Sequence, residues 1–204
     1  MTKRPYHHPN LKEALLEAAV GLIGEVGVHA FTLREVARRA GVSHNAPYRH
    51  FEDKDDLLGA VAAQGFERLT AALVEAMEGG ETAVDRLQRQ GTGYVRFALR
   101  FPLHVQLMFE QTQRLNRPEY SAAADRAFET LVEAVKAAQA EGGLPAGDPL
   151  PLAVVSWSAV HGLAKLAGGG RLPFTPEQTL QFTSLLTNVT TLGMRNLPAT
   201  QTLS

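Results

Sequence analysis

The 204-residue chain contains no cysteine. That excludes a disulfide framework and any zinc site built on thiolates. The opening residues, Met-Thr-Lys-Arg-Pro-Tyr-His-His-Pro, lack the apolar core of about 7–15 residues that a secretory signal needs. No uninterrupted apolar run approaches the ~18 residues of a membrane span, so no membrane partner is expected and the chain reads as cytoplasmic. Alternating β-branched runs are missing, which argues against a sheet. There is no His-Glu-x-x-His, no phosphate loop and no Gly-x-Ser-x-Gly. An enzyme, a cofactor or a metal site is therefore not expected; an enzyme carrying an extra head domain is the distant alternative. Net charge is scarce too, at −1.

The charge that is present is unevenly spread. Residues 1–51 carry seven Lys/Arg and four Glu, a balance of +3 that leaves −4 on the remainder, and they hold five of the seven histidines. A basic face on a near-neutral protein is the footprint of site-specific nucleic-acid binding, and a plain solvated face looks similar.

Within that segment residues 32–51 are the most informative. Thr32 and Glu35 have the spacing of a capping box, which predicts a helix starting at Leu33. Val36, Ala37 and Ala40 give it a small apolar face. Gly41 stands where a left-handed cap is required, and Ser43 suits the N-cap of a second short helix. This is helix-turn-helix spacing. Pro47 disfavours helical geometry at Ala46, so the second helix starts either after Ser43 or at Ala46-Pro47, with His44 and Asn45 then in the turn.

The rest also reads as helical. Asp53 caps a helix from Lys54 to about Met77, with Leu58, Val61, Ala62, Gly65, Leu69 and Leu73 as its buried stripe. Further helices follow over 82–101, 103–111, 121–141, 149–167 and 176–194, the last two opened by Asp148-Pro149 and by Thr175-Pro-Glu-Gln178. With a first helix carrying Leu15, Ala18, Ala19, Leu22, Ile23 and Val26, the expectation is an all-α protein of about nine helices. A three-helix head over 1–53 precedes a larger helical domain over 54–204, with helix 54–77 as connector.

Nucleic-acid chemistry selects candidates. His44, Asn45 and Ala46, with Arg34 from the preceding helix, suit base edges: guanine for His, adenine for Asn, a thymine methyl for Ala. Tyr48, His50, Thr32 and Lys54 suit phosphate oxygens. Ser43 belongs to the same surface. Arg38 and Arg39 read equally well as solvated residues.

The residues Thr-x-x-Glu-Val-Ala at 32–37, Ala-Gly-Val-Ser at 40–43, Tyr-x-His-Phe at 48–51 and Lys54-x-x-Leu57 resemble the DNA-binding unit of the tetracycline-repressor (TetR) family of bacterial regulators. The resemblance covers residues 11 to about 77. Trp157-Ser-Ala-Val-His161-Gly162 resembles the WHG class of the family's C-terminal domains. It implies backbone phosphate contacts at Thr32, Tyr48, His50 and Lys54. It also implies a homodimer on a near-palindromic double-stranded operator, and a C-terminal domain that binds a small-molecule effector.

Two apolar helices near the end supply a pairing surface, with Leu152, Val155, Ala159 and Leu163 on one and Phe182, Leu185, Leu186 and Val189 on the other. The plainer reading has both filling the core. Effector contacts are expected among Tyr94, Phe97, Leu107, Met108, Gln111, Trp157 and His161, although each taken singly reads first as core. The resulting reading is a repressor released by an apolar or aromatic effector. A ligand-independent DNA-binding dimer, an activator and a corepressor-dependent regulator use the same parts.

Overall fold

The computed structural model describes residues 10–110 and 118–199. These form eight α-helices and one 3-10 turn, with no strand among the described residues: α1 (Leu11–Val26), α2 (Leu33–Arg39), the 3-10 turn (Pro47–Arg49), α3 (Lys54–Met77), α4 (Ala83–Arg100), α5 (Pro102–Glu110), α6 (Pro118–Ala140), α7 (Pro149–Gly168) and α8 (Pro176–Arg195). Contacts divide the chain into two compact units, one of residues up to Phe66 with 103–123, the other of 67–102 with the residues from Ala124 onward. The division falls inside α3.

Helix ends follow local chemistry. Asn10 accepts from the Glu13 N–H, and α1 stops at Gly27, whose φ of 84° is open to glycine. Both arms of the Thr32–Glu35 box form: the Glu35 N–H donates to the Thr32 hydroxyl (3.3 Å) and the Thr32 N–H to the Glu35 carboxylate (2.8 Å). Gly41, at φ 70°, closes α2 as a Schellman cap; the Val42 N–H reaches the Ala37 carbonyl at 3.0 Å and the Gly41 N–H reaches Arg38 at 3.2 Å. Asp53 caps α3 through the Asp56 N–H at 2.7 Å.

In the first unit Leu15, Ala19, Val36, Ala37, Phe51, Leu57 and Val61 are all buried. α5 packs close on α3, because Met108 Sδ lies 2.7 Å from where a Cβ on Gly65 would sit. Phe66 meets Phe109 and Tyr120 edge-on at 5.5 and 5.6 Å, and the Tyr120 hydroxyl donates to the Met108 carbonyl at 2.8 Å.

In the second unit α4, α7 and α8 pack against one another, with Val84, Leu87, Val135, Leu152 and Met194 in one core cluster. The buried face of α8 is unexpected. It consists of Thr179, Thr183, Thr187 and Thr191, one turn apart, followed by Met194. Three of the hydroxyls donate to the carbonyl four residues back at 2.8–2.9 Å, so they enter the core already satisfied. Thr187 Cγ2 sits 2.8 Å from where a Cβ on Gly91 would be, so α4 and α8 approach closely.

Two helices, α3 and α7, have 18-residue windows with the mean hydropathy of a membrane span. Counting uninterrupted runs missed this, because isolated polar residues break the runs without lowering the average much. The α3 window is 56% buried and the α7 window only 28%, and α7 leaves Leu150, Val154, Val155 and Leu166 exposed within the protomer.

Candidate functional site

The turn after α2 departs from a regular second helix. Pro47 has no N–H to offer the Ser43 carbonyl, and its ring crowds that group. The Ala46 N–H takes the Ser43 carbonyl instead (2.9 Å), and the His50 and Phe51 N–H groups both take that of Pro47 (2.9 Å). The product is one 3-10 turn whose cap position falls on Ala46, with no side-chain cap. Ser43 therefore supplies a carbonyl to the turn rather than an N-cap hydroxyl.

Most candidate DNA-contacting side chains are on the outside of this structure. Arg34, Ser43, His44, Asn45, Tyr48 and His50 are exposed, Tyr48 at 52%. Phe51, at 2%, fills the core beneath them, which leaves Tyr48 and His50 free of that task. Three of the candidates are placed differently in this structure. Ala46 is only 8% exposed and packs inward, because the turn at Pro47 directs its methyl group to the core. The single Thr32 hydroxyl proton is donated to the Glu35 carboxylate at 3.0 Å, so it is already used. Lys54 turns inward, its Nζ donating to the Phe31 carbonyl at 2.9 Å and the His29 carbonyl at 3.1 Å, 4.2 Å above the Phe31 ring. Burial lowers the Lys54 pKa, with Asp55 and Glu35 pulling it part of the way back. Arg39 is also committed: it lies across Gly21, where no Cβ obstructs it, to pair with Glu25 at 2.7 Å.

The candidate effector residues are divided between the two units. Gln111 lies outside the described residues. Leu107 and Met108 are fully buried in the first unit, and Phe97 meets the Phe101 ring at a tilt, 5.1 Å between centroids, in the second. Tyr94, Trp157 and His161 do meet. The Tyr94 oxygen is 2.7 Å from His161 Nδ1. Burial pushes the phenol up to about 12, a hydrogen bond with Trp157 opposing it, and burial together with Lys165 lowers His161. At neutral pH the phenol is therefore protonated and the imidazole neutral, and the tautomer of His161 sets which of the two donates. The indole N–H can only donate, which makes Trp157 the donor to Tyr94. Phe128 adds a ring 5.8 Å from Trp157. One turn before Tyr94 stands a residue that sequence reasoning missed. Gln90, 1% exposed, donates to the Thr130 carbonyl at 3.2 Å while its Oε1 meets no donor. Its signal was a glutamine four residues before Tyr94 on an otherwise apolar face.

The candidate pairing residues divide by exposure within the protomer. Val155, Phe182, Leu185 and Val189 are exposed, at 46, 39, 55 and 58%. Ala159 and Leu186 are half-buried. Leu152 and Leu163 are 1 and 6% exposed; they point toward the packed side of α7 and belong to the protomer's own core. Val154, Leu166 and Leu192, at 43, 49 and 56%, extend the outward apolar surface instead. No group of three or more acidic or histidine residues suited to a metal occurs among the described residues.

Residues 15–61 match the family model of bacterial regulatory proteins, tetR family, and residues 87–189 match the tetracyclin repressor-like C-terminal domain. The latter description does not extend to the WHG class. A structure from Rhodococcus sp. RHA1, described as a protein with unknown function, is 35% identical, with 95% of this chain and 100% of that one covered and a TM-score of 0.84. A TetR family transcription regulator from Marinobacter aquaeolei VT8 is 25% identical, with 89 and 93% covered and a TM-score of 0.69. The HTH-type transcriptional repressor Rv3405c of Mycobacterium tuberculosis is 38% identical over 71 residues, which span 35% of this chain and 38% of that protein.

Proposed function

Because the chain belongs to the TetR family of bacterial regulatory proteins, we propose that it is a cytoplasmic transcriptional regulator that binds operator DNA as a homodimer. The observation that carries this reading is the exposed group Arg34, His44, Asn45, Tyr48 and His50, held over a packed three-element core. It combines groups suited to base edges with groups suited to phosphates. The outward apolar faces of α7 and α8 support pairing with a second copy. A bilayer is a poor alternative partner for them, since exposed Ser158 and Lys165 interrupt the α7 surface.

The effector side of the proposal is a repressor released by a small apolar or aromatic molecule. Its support is the polar chain Trp157–Tyr94–His161 set among aromatic rings, with Gln90 one turn away. Such a ligand acts only through a difference in affinity between two states, typically ~1–3 kcal/mol.

The test is fluorescence anisotropy on the DNA upstream of the protein's own gene, across a salt series. Nanomolar binding at two protomers per site, lost in Tyr48→Ala, is the expected result. Binding equal on scrambled DNA at every salt concentration would remove the operator reading.

A further inference from the structure

We infer that the effector is an aromatic or aliphatic molecule bearing a neutral hydrogen-bond donor, and that the side-chain carbonyl of Gln90 receives that donor. This deepens the effector reading above and rests on it. Gln90 sits on the buried face of α4 with Leu87, Tyr94 and Phe97, and is 1% exposed. Its Nε2 donates to the Thr130 carbonyl at 3.2 Å, a contact that fixes the amide, because a carbonyl cannot donate in return. Thr130 lies inside α6, whose own ladder runs through the same carbonyl, so the added bond does not explain why an amide stands there. The oxygen is the atom left over, buried with no donor in reach. An unmet buried acceptor costs stability, and an apolar side chain of the same length would avoid that cost.

The surroundings define what can meet it. One turn on, Tyr94 bonds to His161, and Phe128 lies 5.8 Å from the Trp157 ring. Trp157, His161 and Phe128 are only half-buried, so this aromatic wall is within reach of a ligand. An anion is disfavoured, because a carboxylate or a phosphate brings only acceptors to an acceptor. An ammonium is disfavoured, because Lys165 already places a positive charge beside His161. A neutral O–H or N–H is what remains, as in a phenol, an alcohol or an amide. The body of such a molecule lies against the rings while its donor ends at Gln90.

Trp157 is the only tryptophan of the chain, so its fluorescence reports on this wall without a label. The full chain is titrated with 4-alkylphenols whose side chains have about two to eight carbons, with their methyl ethers and with the matching 4-alkylbenzoates. Each phenol is expected to bind at least about tenfold more tightly than the ether and the benzoate of the same length. In Gln90→Met the preference for phenol over ether should vanish, while the ether binds no worse. Equal binding of phenol and ether to the wild type overturns the inference and leaves the effector reading standing. So does a preference that survives in Gln90→Met. Saturable quenching by none of the probes removes the effector reading at this site, and the inference with it. The Tm of the ligand-free protein tests for a structural role. Gln90→Met should match or exceed the wild type, since it removes an unmet acceptor. A fall of more than about 5 °C, or failure to fold, would show the oxygen already satisfied without a ligand, as by a bound water, and counts against the inference.

Discussion

The two units solve opposite surface problems. In the first, most large apolar side chains are inside; among the described residues only Val26 and Tyr48 of that class stand exposed, and Tyr48 carries a hydroxyl. In the second, Val154, Val155, Leu166, Phe182, Leu185, Val189 and Leu192 line the outside of two adjacent helices, while four threonines are buried. A surface that meets a polyanion profits from polar tips on a rigid core, because phosphates and base edges are read by hydrogen bonds. A surface that meets its own copy profits from apolar area removed from water. The contrast teaches that burial within one protomer is a poor measure of which helix face matters. On α8 the face most apolar in sequence is the one the protomer leaves uncovered.

The strongest way to break this comparison is Leu185→Asp. It should leave the protomer folded yet raise the dimer dissociation constant by at least ~100-fold, with specific DNA binding falling in parallel. Sedimentation velocity decides it, and an unchanged dimer would mean that the α7–α8 surface serves something else. Within the second unit, Tyr94→Phe removes the hydroxyl that links Trp157 to His161 and leaves two half-buried polar groups without that partner. The expected loss is about 1–3 kcal/mol, a fall in Tm of about 3–10 °C read by circular dichroism.

A subtler effect concerns pH. His161 has a folded pKa below its ordinary value because burial penalises the cation. The unfolded chain therefore takes up the proton first, and stability is lost as the pH falls through the unfolded value near 6.5 and on through the folded one. The Tm of the wild-type protein should drop more than that of His161→Gln between about pH 7 and 5. Parallel curves would show that His161 does not titrate differently in the two states. The smallest change is expected of Thr183→Val. The hydroxyl bonds only its own helix, at 2.8 Å to Thr179, and the methyl replaces it at nearly equal volume. Stability should stay within about 1 kcal/mol of wild type, and a larger loss in chemical denaturation would show that the threonine stripe does more than fill space.

Much of the helix-turn-helix was legible because its determinants are local. Thr32 with Glu35, Gly41 with Val42, and Asp53 with Asp56 act over a few residues, and all three perform as the pattern requires. The recognition turn was legible only as an ambiguity, since Pro47 signals disruption without saying what replaces the helix. Lys54 shows a similar limit: a lysine at a helix start looks the same in sequence whether it faces a phosphate or, as here, two backbone carbonyls. The Tyr94–His161 bond spans 67 residues. Periodicity placed both residues on apolar helices, yet it did not select their partners, and it passed over Gln90 entirely.

By itself the sequence determined that the chain is helical, where most of its helices begin and end, and which stretch carries the family's motif. Those properties rest on capping groups, prolines and glycines that act within about one turn. Only the tertiary structure decided which side of each helix is inside. An amphipathic pattern has two faces, and α8 could bury either. Self-satisfied threonines and the bare Gly91 backbone let α4 approach on one side, so the leucines and valines were left to the other.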